Sequence, residues 1–154
     1  MLNPPIYFPR IFLFLLLISP LLLLSSFRSD PASPAGDVLK YTNQFRRSNG
    51  LTPLTMRNDL NAIARKHSED MAKGNCSFGH SGFDQRYTRI KKIFQSCTAA
   101  ENVAYGYRTG KEAVDQWKNS GGHRGNMLGK YKYTGIGTAA DARGRIYYTQ
   151  IFVN

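Results

Sequence analysis

The sequence predicts an α/β fold, a three-layer α-β-α sandwich closed by a C-terminal antiparallel hairpin. Two observations carry it. Between residues 37 and 128 the apolar residues recur at helical spacing, and after residue 133 the period changes to two. In the last segment Ile146, Tyr148, Gln150 and Phe152 share one face, and Tyr147, Thr149, Ile151 and Val153 the other. Both faces are largely apolar or aromatic, so this strand is expected to be central, with helices on both sides.

The chain has 154 residues and a formal charge of +11. Ile11–Leu24 is an apolar run behind Arg10, broken by Ser19-Pro20 and too short for a membrane span of about 20 residues. Residues 1–29 read as a secretory signal peptide or, alternatively, an uncleaved signal anchor. Residues 30–36, rich in Pro, Ala and Ser, read as a linker, leaving 37–154 as one domain. Setting aside Arg10 and Arg28 takes the charge from +11 to +9. Such a surface favours anionic walls, acidic polysaccharide or lipid headgroups. Arg86, Arg89, Lys91 and Lys92 form its densest cluster. A plain solvated basic face explains the charge equally well. No nucleic-acid-binding motif is evident, so nucleic acid is not expected as a partner. A secreted monomer is the expectation.

Asp37 is a plausible N-cap for the first helix, which carries Val38, Leu39, Thr42 and Phe45 on one face and ends at Asn49-Gly50. Leu51–Leu54 is extended. A second helix opens at Asn58 or Asp59 and runs to Gly74, with Leu60, Ile63, Ala64, His67 and Met71 on its buried stripe. A histidine there reads as a hydrogen-bonded core residue. It is not half of a zinc-protease helix, because the second histidine of that motif would fall at Met71. Phe83–Phe94 is a third, basic helix, and Glu101–Tyr105 a short strand. Thr109 to Glu112 forms a capping box for a fourth helix bearing Ala113, Val114 and Trp117 inward. One further turn follows through His123 to Leu128. Thr134–Ala140 and Arg145–Val153 are the hairpin strands, joined at Asp141–Gly144.

Candidate site residues stand out by context. His80, Glu101 and His123 lie in Gly- or Ala-rich surroundings: Phe78-Gly79-His80-Ser81-Gly82, Ala100-Glu101-Asn102-Val103-Ala104 and Gly121-Gly122-His123-Arg124-Gly125-Asn126. Small neighbours leave an imidazole open to a ligand or metal. Cys76 and Cys97, an even pair in a chain expected to be secreted, are expected to form one disulfide, worth roughly 3 kcal/mol for a loop of about 20 residues. A cysteine nucleophile fits less well. Gly79-His80-Ser81-Gly82 lacks the spacing of a nucleophile elbow. Asn75-Cys76-Ser77 is a weak glycosylation sequon.

Six segments follow one another in a recognisable order. They are Asn58–Met71, Phe78–His80, Ala100–Ala104, Ala113-Val114 through Trp117 to Asn126, Thr134–Gly137 and Tyr147–Phe152. Together they resemble the CAP superfamily of cysteine-rich secretory proteins, wasp antigen 5 and class-one plant pathogenesis-related proteins, in its compact branch. The resemblance covers Asp37 to Val153. It implies an α-β-α sandwich whose cleft holds two histidines and two acids, and it carries over His80, Glu101 and His123. Where the second acid is expected this chain has Ser120; Glu112 and Asp115 lie on the same helix but off the matching place.

Three functions follow as expectations. The first is a secreted binding module for a lipid, sterol, cell-wall or other extracellular ligand. Zn2+ or another divalent cation would sit weakly on His80, His123 and Glu101, or Glu101 would orient an imidazole from behind. The second is a metal-assisted peptidase or esterase with Glu101 as base. The third is a protein acting through its surface loops. A plain buried hydrogen-bond network is the competing reading of the three residues.

Overall fold

The computed structural model describes Met1 and residues 33–154, so the expected signal segment lies outside the described residues. Helix α1 spans Pro34–Ser48, β1 Thr55–Met56, α2 Asn58–Ala72, α3 Phe83–Phe94, β2 Ala99–Tyr105, α4 Gly110–Asn119, α5 Gly121–Leu128, β3 Tyr133–Ala140 and β4 Ile146–Val153. One four-stranded sheet has the order β1-β3-β4-β2. β4 pairs antiparallel with β2 and β3, and β1 adds parallel to β3.

β4 is central as expected. Tyr148 and Phe152 pack with Val38, Val114, Trp117 and Met127 beneath α1, α4 and α5. On the other face Ile151 and Val153 pack with Leu60, Ile63, Ala64 and Ile90 of α2 and α3. The three-layer α-β-α sandwich is therefore the observed architecture. Each layer buries one apolar helix stripe against one face of the sheet, which drives the assembly.

The closest approach is that of α2 to β3. A Cβ on Gly135 or Gly137 would fall inside the backbone of Leu60, Ala64 or Arg65. Glycine at both positions lets the helix lie directly on the strand. Asn61 Oδ1 then accepts the Ile136 amide at 2.8 Å, and Ser68 Oγ donates to the Gly137 carbonyl at 3.0 Å.

Several boundaries differ from the sequence reading. α1 begins at Pro34, not after Asp37. Ser33 caps it, its Oγ accepting the Gly36 amide at 3.1 Å, and proline suits the first helical turn. The capping box of α4 is displaced by one residue: Thr109 Oγ1 accepts the Glu112 amide, but Glu112 Oε2 reaches the amide of Arg108. The turn through His123 is a full helix of eight residues. Arg46, buried in α1, secures its far end by donating to the carbonyls of Met127 at 2.7 Å, Gly129 at 2.9 Å and Tyr131 at 3.1 Å.

Candidate functional site

Glu101 is the hub. It lies on β2, on the face toward α3, and is 5% exposed. A buried carboxylate needs a partner, and α3 supplies one. Arg86 Nε donates to Oε2 at 2.8 Å and Nη2 to Oε1 at 2.7 Å, a two-pronged pairing. His80 Nδ1 lies 3.0 Å from the same Oε1. Since the carboxylate accepts, the proton of a neutral His80 sits on Nδ1. Nε2 is then the nitrogen with a free lone pair, on a side chain that is half exposed.

The rest of the Arg86 guanidinium is also used. Nη1 donates to the Ser81 carbonyl at 2.8 Å and to His67 Nδ1 at 3.1 Å. That fixes the tautomer of His67: its Nε2 carries the hydrogen and donates to the Gly79 carbonyl at 2.8 Å. Burial holds the His67 imidazole below its usual range, and the Arg86 charge adds to this against the favourable Gly79 and Glu101 contacts. His67 is thus the buried, hydrogen-bonded residue its helical position predicts. The loop between α2 and α3 is pinned through Gly79, His80 and Ser81 to one buried network. Gly79 takes φ +130°, where a side chain would be strained.

His123 arrives from the opposite side. Asn102 Nδ2 donates to the His123 carbonyl at 3.1 Å. Asn126 Nδ2 donates to Asn102 Oδ1 at 2.9 Å and to the Glu101 carbonyl at 3.2 Å. Trp117 Nε1 donates to the Val103 carbonyl at 3.0 Å. Asn126 and Trp117 therefore cover the outer edge of β2, which would otherwise present open carbonyls. The His123 ring lies 6.4 Å from Trp117 between centroids. Burial lowers its pKa first, and the nearby His80 lowers it further.

The three predicted residues are near one another but do not form one ligand set. His80 and Glu101 line a hollow of about 230 Å³ with Phe83 and Asn126. His123 lines a separate hollow of about 340 Å³ with Phe78, Tyr105 and Trp117. Among the described residues no three His, Cys, Asp or Glu side chains converge on a point that would hold a metal ion. In this arrangement both Glu101 oxygens accept from Arg86 and one also meets His80, so Glu101 stands behind the His80 imidazole rather than as a free ligand. Ser120 closes α4 and opens α5. Asp115 is paired with Lys111 and Lys118, and so offers no second acid.

The expected disulfide is corrected: Cys76 and Cys97 are free thiols. Cys76 packs against the cluster of Met71, Val103 and Tyr147, whereas Cys97 packs against the separate cluster built on Leu60, Ile63, Ile90 and Val153.

Arg86 is the residue the sequence reading misplaced. Counted there among surface cations, it is 8% exposed. Its spacing held the signal, because Arg86 lies three and four residues from Phe83 and Ile90 on the inner stripe of α3. Asn102 and Asn126 sit inside the quoted motifs, but nothing in their residue type alone assigned them a role.

These motifs, in this order around one sheet edge, match a known family profile. Residues 39–152 match that of the CAP, or cysteine-rich secretory protein, family. The chain belongs to the CAP family. Two Bacillus subtilis relatives are similar to this CAP domain: the uncharacterised membrane protein YlbC, 36% identical over 121 residues, and the uncharacterised protein YkwD, 37% identical over 119. Each match covers 75% of this chain, but only 33% of YlbC and 45% of YkwD. Among solved structures, an extracellular SCP-domain protein from Bacillus anthracis is 31% identical with a TM-score of 0.66, covering 76% of this chain and 39% of that one. A cysteine-rich secretory protein from Staphylococcus aureus is 26% identical with a TM-score of 0.62, covering 82% and 40%. Among the described residues no helix is long and apolar enough to cross a membrane.

Proposed function

We propose that this CAP domain is a secreted ligand-binding module. Its hollow presents the His80 imidazole, oriented by Glu101, to a lipid, sterol or cell-wall ligand. The observation that carries the reading is the commitment of Glu101. Hydrolysis would need this carboxylate to take a proton from water. Here both oxygens accept from Arg86, and one also meets His80. With Ser120 in place of a second acid, the cleft offers two imidazoles and no free carboxylate. That arrangement suits recognition better than acid–base turnover. A divalent cation such as Zn2+ would find His80 Nε2 and His123 as its protein donors, with water completing the shell, so its affinity is modest. The match to an extracellular relative and the basic surface support an extracellular setting.

Native mass spectrometry of the mature protein from its own source tests this. A co-purifying small molecule, absent from the His80→Ala/His123→Ala variant, is the expected result. A bare protein that cleaves peptide or ester substrates, and loses that activity with the same two substitutions, would replace the binding reading with the hydrolytic one.

A further inference from the structure

The hollow beside His123 carries features that the His80–Glu101–Arg86 network does not use. Phe78 and Tyr105 are among the few large apolar side chains left in solvent, at 49% and 44% exposure. Their ring centroids are 4.7 Å apart, and Tyr105 stacks on Tyr147 at 5.5 Å and 21°. Tyr107, Gln116 and Ser120 also line it, so aromatic faces lie beside neutral hydrogen-bonding groups. At about 340 Å³ the space is in the range of small-ligand sites.

Tyr107 also borders the next hollow, of about 440 Å³, which Arg108, Arg143 and Arg145 line. Arg145 is paired with Asp141 at 2.7 Å. Among the described residues Arg108 and Arg143 form no ion pair. Aromatic platforms therefore lead directly into a group of arginines with more positive than negative charge.

Resting on the binding-module reading, we propose that this joined surface docks an acidic polysaccharide, a chain of sugar rings bearing carboxylates. Such a polymer alternates the two features the protein offers. The polarised C–H face of a sugar ring lies on the electron-rich face of an aromatic ring. The carboxylate of a neighbouring unit takes the planar fork of an arginine. Gln116, Ser120 and the tyrosine hydroxyls meet sugar hydroxyls. A lipid bilayer fits less well, because only Phe78 and Tyr105 of the aromatic lining are exposed, while Trp117 is 2% exposed and has no surface to insert. A single-stranded nucleic acid would stack on the rings, but it needs a basic groove tracking several phosphates.

The test is calorimetric titration of the mature protein with oligogalacturonate at low salt. Saturable binding is expected, weakened about tenfold by Tyr105→Ala and by Arg108→Ala/Arg143→Ala. Lys91→Ala/Lys92→Ala removes the same charge from α3 and is expected to leave the affinity unchanged. Near-ultraviolet circular dichroism checks that each variant is folded. Equal weakening by the α3 pair would show that net charge alone attracts the polymer, and would overturn the proposal. So would no uronate binding with tight uptake by phosphatidylserine vesicles or by single-stranded oligonucleotide. Ligand retention at His80 is read separately, by mass, so either proposal can fail alone.

Discussion

At the scale of single residues, the site is governed by what Arg86 does to its neighbours. Its guanidinium is shared between Glu101, His67 and the Ser81 carbonyl. Leaving any of these groups buried without a partner would cost a few kcal/mol. His67 gives a test of the network through pH. It is neutral in the fold and its pKa is lowered, chiefly by burial. The unfolded chain, with an ordinary imidazole near 6.5, binds the proton first as pH falls. Stability is therefore fully present above about pH 6.5 and declines below it, until the folded imidazole also titrates. Between pH 7.5 and 5.5 this group contributes at most about 1.4 kcal/mol. Urea unfolding at both values is expected to show the loss, and His67→Gln to reduce it. An identical pH difference in the variant would mean that His67 is not the responsive group. His123, also shifted downward by burial, adds an effect of the same sign.

At the scale of elements, the close seat of α2 on β3 decides how the loop bearing His80 is held. α2 ends at Ala72 just before that loop, and Gly82 caps the start of α3 after it. Moving α2 outward would carry Gly79 and His67 with it. Gly137→Ala places a methyl group where Arg65 backbone now lies. Overpacking of this kind typically costs about 1–3 kcal/mol, and here the obstacle is helix backbone rather than a flexible side chain. We expect a fall in the urea midpoint at the upper end of that range. Gly121→Ala, where nothing lies within 4 Å of the added atom, is the control. Equal behaviour of the two variants would mean that α2 can shift freely. Elements of this kind were legible in the sequence where periodicity was strong. α2, α3 and α4 fall where their apolar stripes place them, and the two-sided pattern of β4 marks it as central. The two-residue β1 was invisible because so short a strand has no period, and the start of α1 was hidden by a proline-rich stretch that reads as linker. The site was half legible. Glycine-flanked histidines gave the loops, but pairing between Arg86 and Glu101 depends on two elements meeting in space, and no spacing rule connects residues fifteen apart across a loop.

For the whole molecule, the question is what replaces the expected crosslink. Small domains in oxidising compartments commonly lean on disulfides when their cores are small. This domain buries apolar side chains on both faces of β4, and Arg46 joins α1 to the end of α5 and the segment after it through three carbonyls, with a fourth bond to the Thr52 carbonyl. Cys76 and Cys97 belong to separate packing clusters at different points along β2. Each therefore acts as a small partly buried apolar residue, and burial raises the Cys76 thiol above its ordinary range, which keeps it less reactive. The consequence is measurable in the intact protein. Mass spectrometry after alkylation in denaturant, without reductant, is expected to show two labels per chain. Cys76→Ser/Cys97→Ser should cost no more than about 1 kcal/mol, the scale of losing two partly buried sulfur contacts. A structural disulfide would instead leave the chain unlabelled, and its removal would cost about 2–5 kcal/mol. That outcome would require Cys76 and Cys97 to meet across their separate packing clusters, and would move the loop that carries His80.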